Sequence, residues 1–408
     1  MKIKIRKTLS NKMIPISGIA FVLIIFIGSG IMGSAFGDRE SSTLETYPDL
    51  ENSSAAIPGT PGGTTNESAA GKMPLYGEWE IFTMEDGLPS NKINTVKIDN
   101  DRILVGTDRG LAVLEDDTWA VYTKEDGLAH RNVLSIDVDE LTGDVWIGTM
   151  SGLNRWSAGL FERFDQFNSG LANDIVYEVH VNGRFVWIAT AAGANRYDTY
   201  RKQWKIFNEK SSPLHEPWTY GITTGNNKAY IAAWGGGVVE YNNDTGRFRV
   251  YRDPDGHFQL DLFPDDGLVH DITTGVAFDD GILWVSTYFG LSRYDGQNWK
   301  GYLDHDTGLT SGFINAIKAK NSVAYIATDD GLNTFDGTTW VTYNTGDGSR
   351  EGITTIVNGE KEKNLTTDNS ISHGFVWNMD IGDEVIWVAT SYGLSKAKIV
   401  GYTDDSIL

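Results

Sequence analysis

Apolar runs recur along the chain in pairs. Ile103 to Leu114 reads ILVGTDRGLAVL: an apolar run, a small residue, Thr, two polar positions, Gly, and a second apolar run. The pattern returns as VWIGTMSGLNRW from Val145, VWIATAAGANRY from Val186 and AYIAAWGGGVVEY from Ala229. It returns again as LWVSTYFGLSRY from Leu283, AYIATDDGLNTF from Ala324 and IWVATSYGLSKA from Ile386, which makes seven copies. Two strands joined by a tight turn read this way, with the Gly supplying positive φ. In step with these copies, an aromatic opens a further short strand at Trp79, Trp119, Phe161, Trp204, Phe248, Trp299 and Trp340, at intervals of 40, 42, 43, 44, 51 and 41 residues. A repeat of that length carrying four strands is a propeller blade. One blade cannot bury both of its faces, so the blades must stack in a ring.

The pattern predicts an all-β, seven-bladed β-propeller over residues 76–400, with a tail at 401–408. Its inner strands start near Ile93, Val133, Ile175, Trp218, Ile272, Phe313 and Phe375. The outer strand at Trp79–Phe82 precedes the first inner strand, and the last blade has none of its own after Leu394–Ile399. The N-terminal outer strand is therefore expected to close the ring as the fourth strand of blade 7, leaving no open edge. Trp146, Trp187, Trp284 and Trp387 share one position of the second strand, followed two places on by a small residue. They read as filler between blades rather than as a ligand box.

The order W-x₂-Y, D-G-L, an apolar strand, then W-[VI]-[GA]-T-x₂-G-L-x-R runs from about Trp79 to Ile399. It resembles the two-component regulator propeller repeat. That resemblance implies the extracytoplasmic sensor region of a bacterial hybrid histidine kinase. The kinase and the immunoglobulin-like module that follow such propellers in full sensors do not occur before Leu408. Signalling is therefore expected to pass through another protein.

Residues 1–12 carry five Lys and Arg, and an uncharged, largely apolar run follows from Met13 to Phe36. Its length suits a bilayer span, and the positive flank puts the rest of the chain outside. Residues 1–37 read either as a signal peptide cleaved near Ser34–Gly37 or as an uncleaved membrane anchor. Residues 38–75, rich in Ser, Thr, Gly, Pro and Ala, read as a flexible linker. With 34 Lys and Arg against 55 Asp and Glu, the net charge is −21. Nucleic acid is repelled by that balance. The absence of Cys removes disulfides, thiolate chemistry, Cys-ligated metals and a lipoprotein anchor.

Ligands of a propeller seat at one mouth of its channel, where loops vary. The turns between second and third strands bring Arg109, Trp234, Tyr288, Phe289 and Tyr392 there. Aromatics on turns can stack on a sugar ring or a peptide side chain. The loops leading to the inner strands add Arg131, His215, Glu216 and His270. His130, His215, His270 and His373 are read as equivalent loop positions forming a polar rim; no pair has metal-ligand spacing. Two loops are enlarged, Arg252–Leu268 and Asn344–Gly374, the second read as a lid, a partner contact or a disordered segment. The repeated D-G-L (Asp86, Asp126, Asp266) reads as a turn in which Asp accepts from backbone N–H groups.

No nucleophile elbow, phosphate loop or dinucleotide fingerprint is present. The expectation is a non-catalytic, extracytoplasmic binding or sensor module, with no metal or cofactor. It takes a carbohydrate or peptide ligand or a membrane signalling protein, and presents a monomeric head on the membrane. The alternative is a propeller lyase or hydrolase acting on a polysaccharide or cyclic substrate, motivated by His215-Glu216.

Overall fold

A computed structural model describes residues 72–255, 265–305, 307–345 and 351–403. Residues 1–37, most of the expected linker and the end of the tail lie outside them. Among the described residues no helix is long and apolar enough to cross a membrane. Seven antiparallel sheets form the fold. Blade 1 comprises Ile93–Asp99, Arg102–Thr107, Leu111–Glu115 and Thr118–Tyr122 from inside to outside. The inner strands of blades 2 to 7 are Val133–Val138, Val176–Asn182, Thr219–Gly225, Thr273–Asp279, Ile314–Lys320 and Val376–Ile381. All seven start within one residue of the expected positions.

The T-x₂-G signature is explained by hydrogen bonding. Thr107, Thr149, Thr190, Thr287, Thr328 and Thr390 each donate Oγ1–H to the carbonyl of the Gly three residues on, at 2.6–2.9 Å. The same hydroxyl accepts from the backbone N–H two residues on. Each Gly sits at positive φ, from 101° at Gly193 to 151° at Gly290, where a Cβ would be strained. Blade 4 has Ala233 instead, and Thr273 of the next blade donates to Ala233 O and Gly237 O at 2.9 and 3.0 Å. The turn is thus held from outside its own blade.

Seven core clusters fill the seven seams between blades. Trp187 of blade 3 packs with Ile222, Ile231 and Tyr241 of blade 4. Trp146, Trp284 and Trp387 fill the equivalent place against the following blade. Leu104, Tyr230 and Tyr325 take it in the remaining seams. Two residues further along, the blades approach closely: a Cβ on Gly106 would stand 2.6 Å from both Thr95 Cγ2 and Val133 Cγ1.

The N-terminal strand closes the ring. Pro74–Phe82 pairs antiparallel with the last strand, Gly393–Tyr402, from Phe82 opposite Leu394 to Pro74 opposite Tyr402. The ladder therefore reaches past residues 76 and 400 at both ends. Trp79 turns inward and meets Tyr343 of blade 6 at 5.8 Å between ring centroids. The Asn344–Gly374 insertion forms a hairpin, Gly352–Asn358 with Lys361–Thr367, which adds a fifth and sixth strand to blade 6. Asp86 and Asp126 close their turns onto Thr83 N–H and Thr123 N–H, with Gly87 and Gly127 left-handed. The third copy differs, because Gly267 is not at positive φ.

Two stability predictions follow from this packing. Trp187→Ala should lower the unfolding free energy by about 3–5 kcal/mol, because the seam cannot collapse around the lost indole. Deleting residues 74–82 should bare the edge of blade 7 and abolish a single cooperative transition in chemical denaturation, whereas deleting residues 38–70 should leave the transition in place.

Candidate functional site: the channel mouth and wall

Every inner strand carries a bulge at its start. Register shifts by one residue at Asn94, Leu134, Tyr177, Tyr220, Thr274, Asn315 and Trp377. A bulge re-aims a side chain, and here it does so once per blade at the end where the Thr–Gly turns lie: Asn94 and Asn315 reach across to the next blade's backbone, and Thr274 bonds Ser286. Two bulge residues, Tyr177 and Tyr220, join turn and loop aromatics of blades 4 to 6 in an aromatic arc. Tyr177 stacks on Tyr220 at 4.4 Å, and Tyr220 meets Trp234 at 5.3 Å. Trp234 meets Tyr288 edge-on at 5.6 Å, and Tyr288 meets Phe313 at 4.3 Å and Phe289 at 5.3 Å. Across the mouth, Trp377 packs on Phe375 at 4.5 Å and donates Nε1–H to Ser391 Oγ at 3.0 Å. The Lys92 ammonium lies 5.7 Å from the Trp377 ring.

The sequence-predicted residues divide into two groups. Trp234, Tyr288 and Phe289 come together on the arc, half-buried. Trp234 is not a lone indole on a glycine turn; it is held between Tyr220 and Tyr288. Glu216 lies beside that turn, since its side chain is what a Cβ on Gly235 or Gly236 would approach. His270 is buried and its ring stands 4.5 Å from Phe289. Arg109 and Arg131 are exposed on blades 1 and 2, away from the arc, and His215 is exposed. Tyr392 is 59% exposed on the blade 7 turn.

The histidine pattern has a local cause. His130, His270 and His373 each accept through Nδ1 from the backbone N–H two residues on, at 2.9–3.0 Å. Ser90, Asn173 and Ser311 make the same bond at the same place in blades 1, 3 and 6. The position selects a short acceptor that closes the turn before the inner strand. His215 falls one residue short of it, and Glu216 occupies it. Among the described residues no group of three or more His, Asp or Glu is placed to hold a metal ion.

Below the arc the channel wall carries charge that the turn-based reading missed. The fifth inner-strand position presents Lys97, Asp137, His180, Lys318 and Asp380. Lys97 Nζ bonds Asp137 at 2.8 Å, and Lys318 Nζ lies 3.5 Å from Asp380. Asp137 also accepts from Val181 N–H at 2.7 Å and Asp380 from Ile98 N–H at 2.8 Å, so each carboxylate ties two blades. Burial raises the Asp137 carboxyl, but Lys97 and His180 outweigh it and hold the pKa below the usual range. Burial lowers His180, which bonds Thr224 Oγ1 at 2.8 Å. Glu178 crosses to blade 4 and accepts from Ile222 N–H at 2.8 Å. Burial pushes its carboxyl up to about 7, against the opposing pull of that bond and of Lys318. The signal for this wall was in the sequence: charged residues at one phase of strands assigned to the ring's centre.

The fold places the chain among seven-bladed β-propellers. It is similar to the extracellular domains of two putative hybrid two-component systems from B. thetaiotaomicron, at 18% and 17% identity with TM-scores of 0.61 and 0.59. The matches cover 78% of this chain in both cases, but only 41% and 39% of those domains. It is also similar to virginiamycin B lyase from Staphylococcus aureus, at 11% identity and a TM-score of 0.55, over 80% of this chain and all of the lyase. No family model and no curated protein matches the sequence.

Glu178 generates a pH prediction. Its folded pKa lies above the unfolded value of 4.5. Between the two values the folded state holds a proton that the unfolded chain has released, so stability is lost as pH rises through about 7. Glu178→Gln removes that loss and keeps an acceptor for Ile222. Relative to the parent, the variant should gain roughly 1–3 kcal/mol between pH 4.5 and 8.5, the upper end being the full shift and the lower allowing for channel water. Denaturant titrations of both proteins across that range check it.

Proposed function

We propose that this propeller is a non-catalytic, extracytoplasmic binding module of the sensor kind, and that its ligand, a carbohydrate or a peptide, seats on the aromatic arc at the channel mouth. The arc carries the reading. Six half-buried rings from four consecutive blades come together in one arc, and stacked aromatic faces bind sugar rings and apolar side chains alike. The likeness to extracellular sensor domains supports the compartment and the role. Residues 1–37 would hold the head at the outer membrane face, and a separate membrane protein would receive the signal. The proposed ligand-binding set is Trp234, Tyr288, Phe289 and Glu216 on the arc, with Arg109, Arg131, His215, His270 and Tyr392 as the surrounding rim. The lyase or hydrolase alternative draws on the fold shared with virginiamycin B lyase, and turnover of a cyclic or polysaccharide substrate would establish it.

The comparison of two tryptophans tests the site. Trp234→Ala should weaken ligand binding by on the order of 1–3 kcal/mol, as for an interface anchor, while moving the melting temperature far less than Trp187→Ala does. Screening glycans and peptides by thermal shift, then measuring affinity for both variants, gives the readout. Melting as poor as that of Trp187→Ala would make Trp234 a core residue and remove the centre of the site.

A further inference from the structure

The arc has a charge character that the choice between sugar and peptide does not use. In the channel wall, two ammonium groups each lie beside a carboxylate of their own, Lys97 on Asp137 and Lys318 on Asp380. Glu178 is the carboxylate left over: among the described residues no Lys or Arg lies within ion-pair distance of it. Its place is set by register. It follows the bulged Tyr177, and its Oε2 accepts from Ile222 N–H, two residues past Tyr220. The carboxylate therefore spans the same two strands as the Tyr177–Tyr220 stack, whose centroids are 4.4 Å apart.

The other end of the arc is also acidic. Asp329 follows the Thr328 turn of blade 6, and its N–H reaches Phe313 O. It is half-buried beside Tyr288, and among the described residues it too has no basic side chain within ion-pair distance. Burial raises its carboxyl, as do the neighbouring Asp330 and Asp304. Glu216 lies midway, against the Trp234 turn. Lys92, with Asp108 beside it, Arg109 and Arg131 lie on blades 1 and 2, and Arg252 stands against the Gly237 turn of blade 4. The aromatic side of the mouth thus also carries three carboxylates, Glu178, Glu216 and Asp329.

Resting on the proposed ligand site, we propose that the blade 3–6 half of the mouth binds the cationic group of its ligand, an ammonium or guanidinium of a basic peptide or polyamine, between the Tyr220–Trp234–Tyr288 faces and the carboxylates of Glu178 and Asp329. Ring faces attract cations through their quadrupole, most strongly where water is excluded. An arriving cation also favours the ionised form of two half-buried carboxylates that have no Lys or Arg within ion-pair distance among the described residues. The chain's charge of −21 draws cations from solution and repels anions. A neutral sugar would use the rings and leave both carboxylates uncompensated.

The test uses the full chain in detergent, calorimetry, and three probes: tri-lysine, its fully side-chain- and N-acetylated counterpart, and a neutral hexasaccharide. Tri-lysine should bind at least tenfold more tightly than the acetylated peptide, and its affinity should fall as salt rises. Glu178→Gln, Asp329→Asn and Trp234→Ala should each weaken tri-lysine at least fivefold, with Asp336→Asn, on an outer turn, without effect. Equal binding of the two peptides, or no change in both carboxamide variants, overturns the cation site. Trp234-dependent binding of the hexasaccharide without tri-lysine binding also overturns it, while leaving the mouth as the ligand site. If Trp234→Ala changes none of the three, the ligand site itself fails along with the inference. The carboxamide substitutions preserve shape, and the melting temperature of each variant confirms that it is folded.

Discussion

Everything in this ring depends on one contact repeated seven times: a large side chain on the second strand of each blade, buried in the sheet that follows. In four seams that side chain is Trp, in two Tyr and in one Leu. The contact works because the same strand carries a Gly, Ala or Ser two residues further on, where the next blade approaches closely. A sheet with such a face is unstable alone, so stability belongs to seams rather than blades. The Thr–Gly turns then fix the height at which each seam ends. Gly152, Gly193, Gly237, Gly331 and Gly393 also donate N–H to a carbonyl of the loop leading into the next blade, at 2.5–3.0 Å.

That uniform scaffold makes the departures informative. The bulges occur at one level in all seven inner strands, yet the bulged residue ranges over Asn, Leu, Tyr, Thr and Trp. Backbone geometry is shared while the chemistry of the mouth is free to vary. Blades 3, 4 and 7 use this freedom for Tyr177, Tyr220 and Trp377, and blades 5, 6, 1 and 2 use it for Thr274, Asn315, Asn94 and Leu134. One level deeper, alternating Lys and Asp lock adjacent inner strands together across the channel wall. Glu178 departs from that rule, on the same pair of strands that carries the Tyr177–Tyr220 stack.

The architecture was legible because its determinants are local and periodic. The Thr–Gly turn and the seam aromatic can be read within a dozen residues, and the repeat interval supplies the rest. The expected closure by an early strand needed only the bookkeeping of a missing fourth strand. The mouth was only partly legible. Trp234, Tyr288 and Phe289 stood out because they occupy turns. Tyr177, Tyr220 and Trp377 did not, since a bulge adds one residue and breaks the alternation from which orientation is inferred. The histidines misdirected the reading for a different reason. An Nδ1 acceptor serves the same turn as a Ser hydroxyl or an Asn carbonyl, so recurrence reflected backbone closure rather than a shared ligand. The long insertion before blade 7 carries alternating Thr, Ile and Val that form a hairpin, but it lies off the repeat interval that identifies the other strands.

The closing strand has a consequence for how the protein is made. Met73 N–H is bonded to Thr403 Oγ1, 330 positions away, whereas most strand pairs join neighbours in sequence. The segment that completes the ring is thus synthesised first and must wait unpaired while every other blade emerges. An idle strand of this kind is a hazard for pairing with another chain during biogenesis. Its own irregularities reduce that hazard: Pro74 lacks a donor, two register breaks interrupt the ladder, and Glu78 sits at a φ of 51°. The early strand is a poor template for any partner except the one whose bulges match, so order of synthesis and fidelity of assembly are reconciled in nine residues.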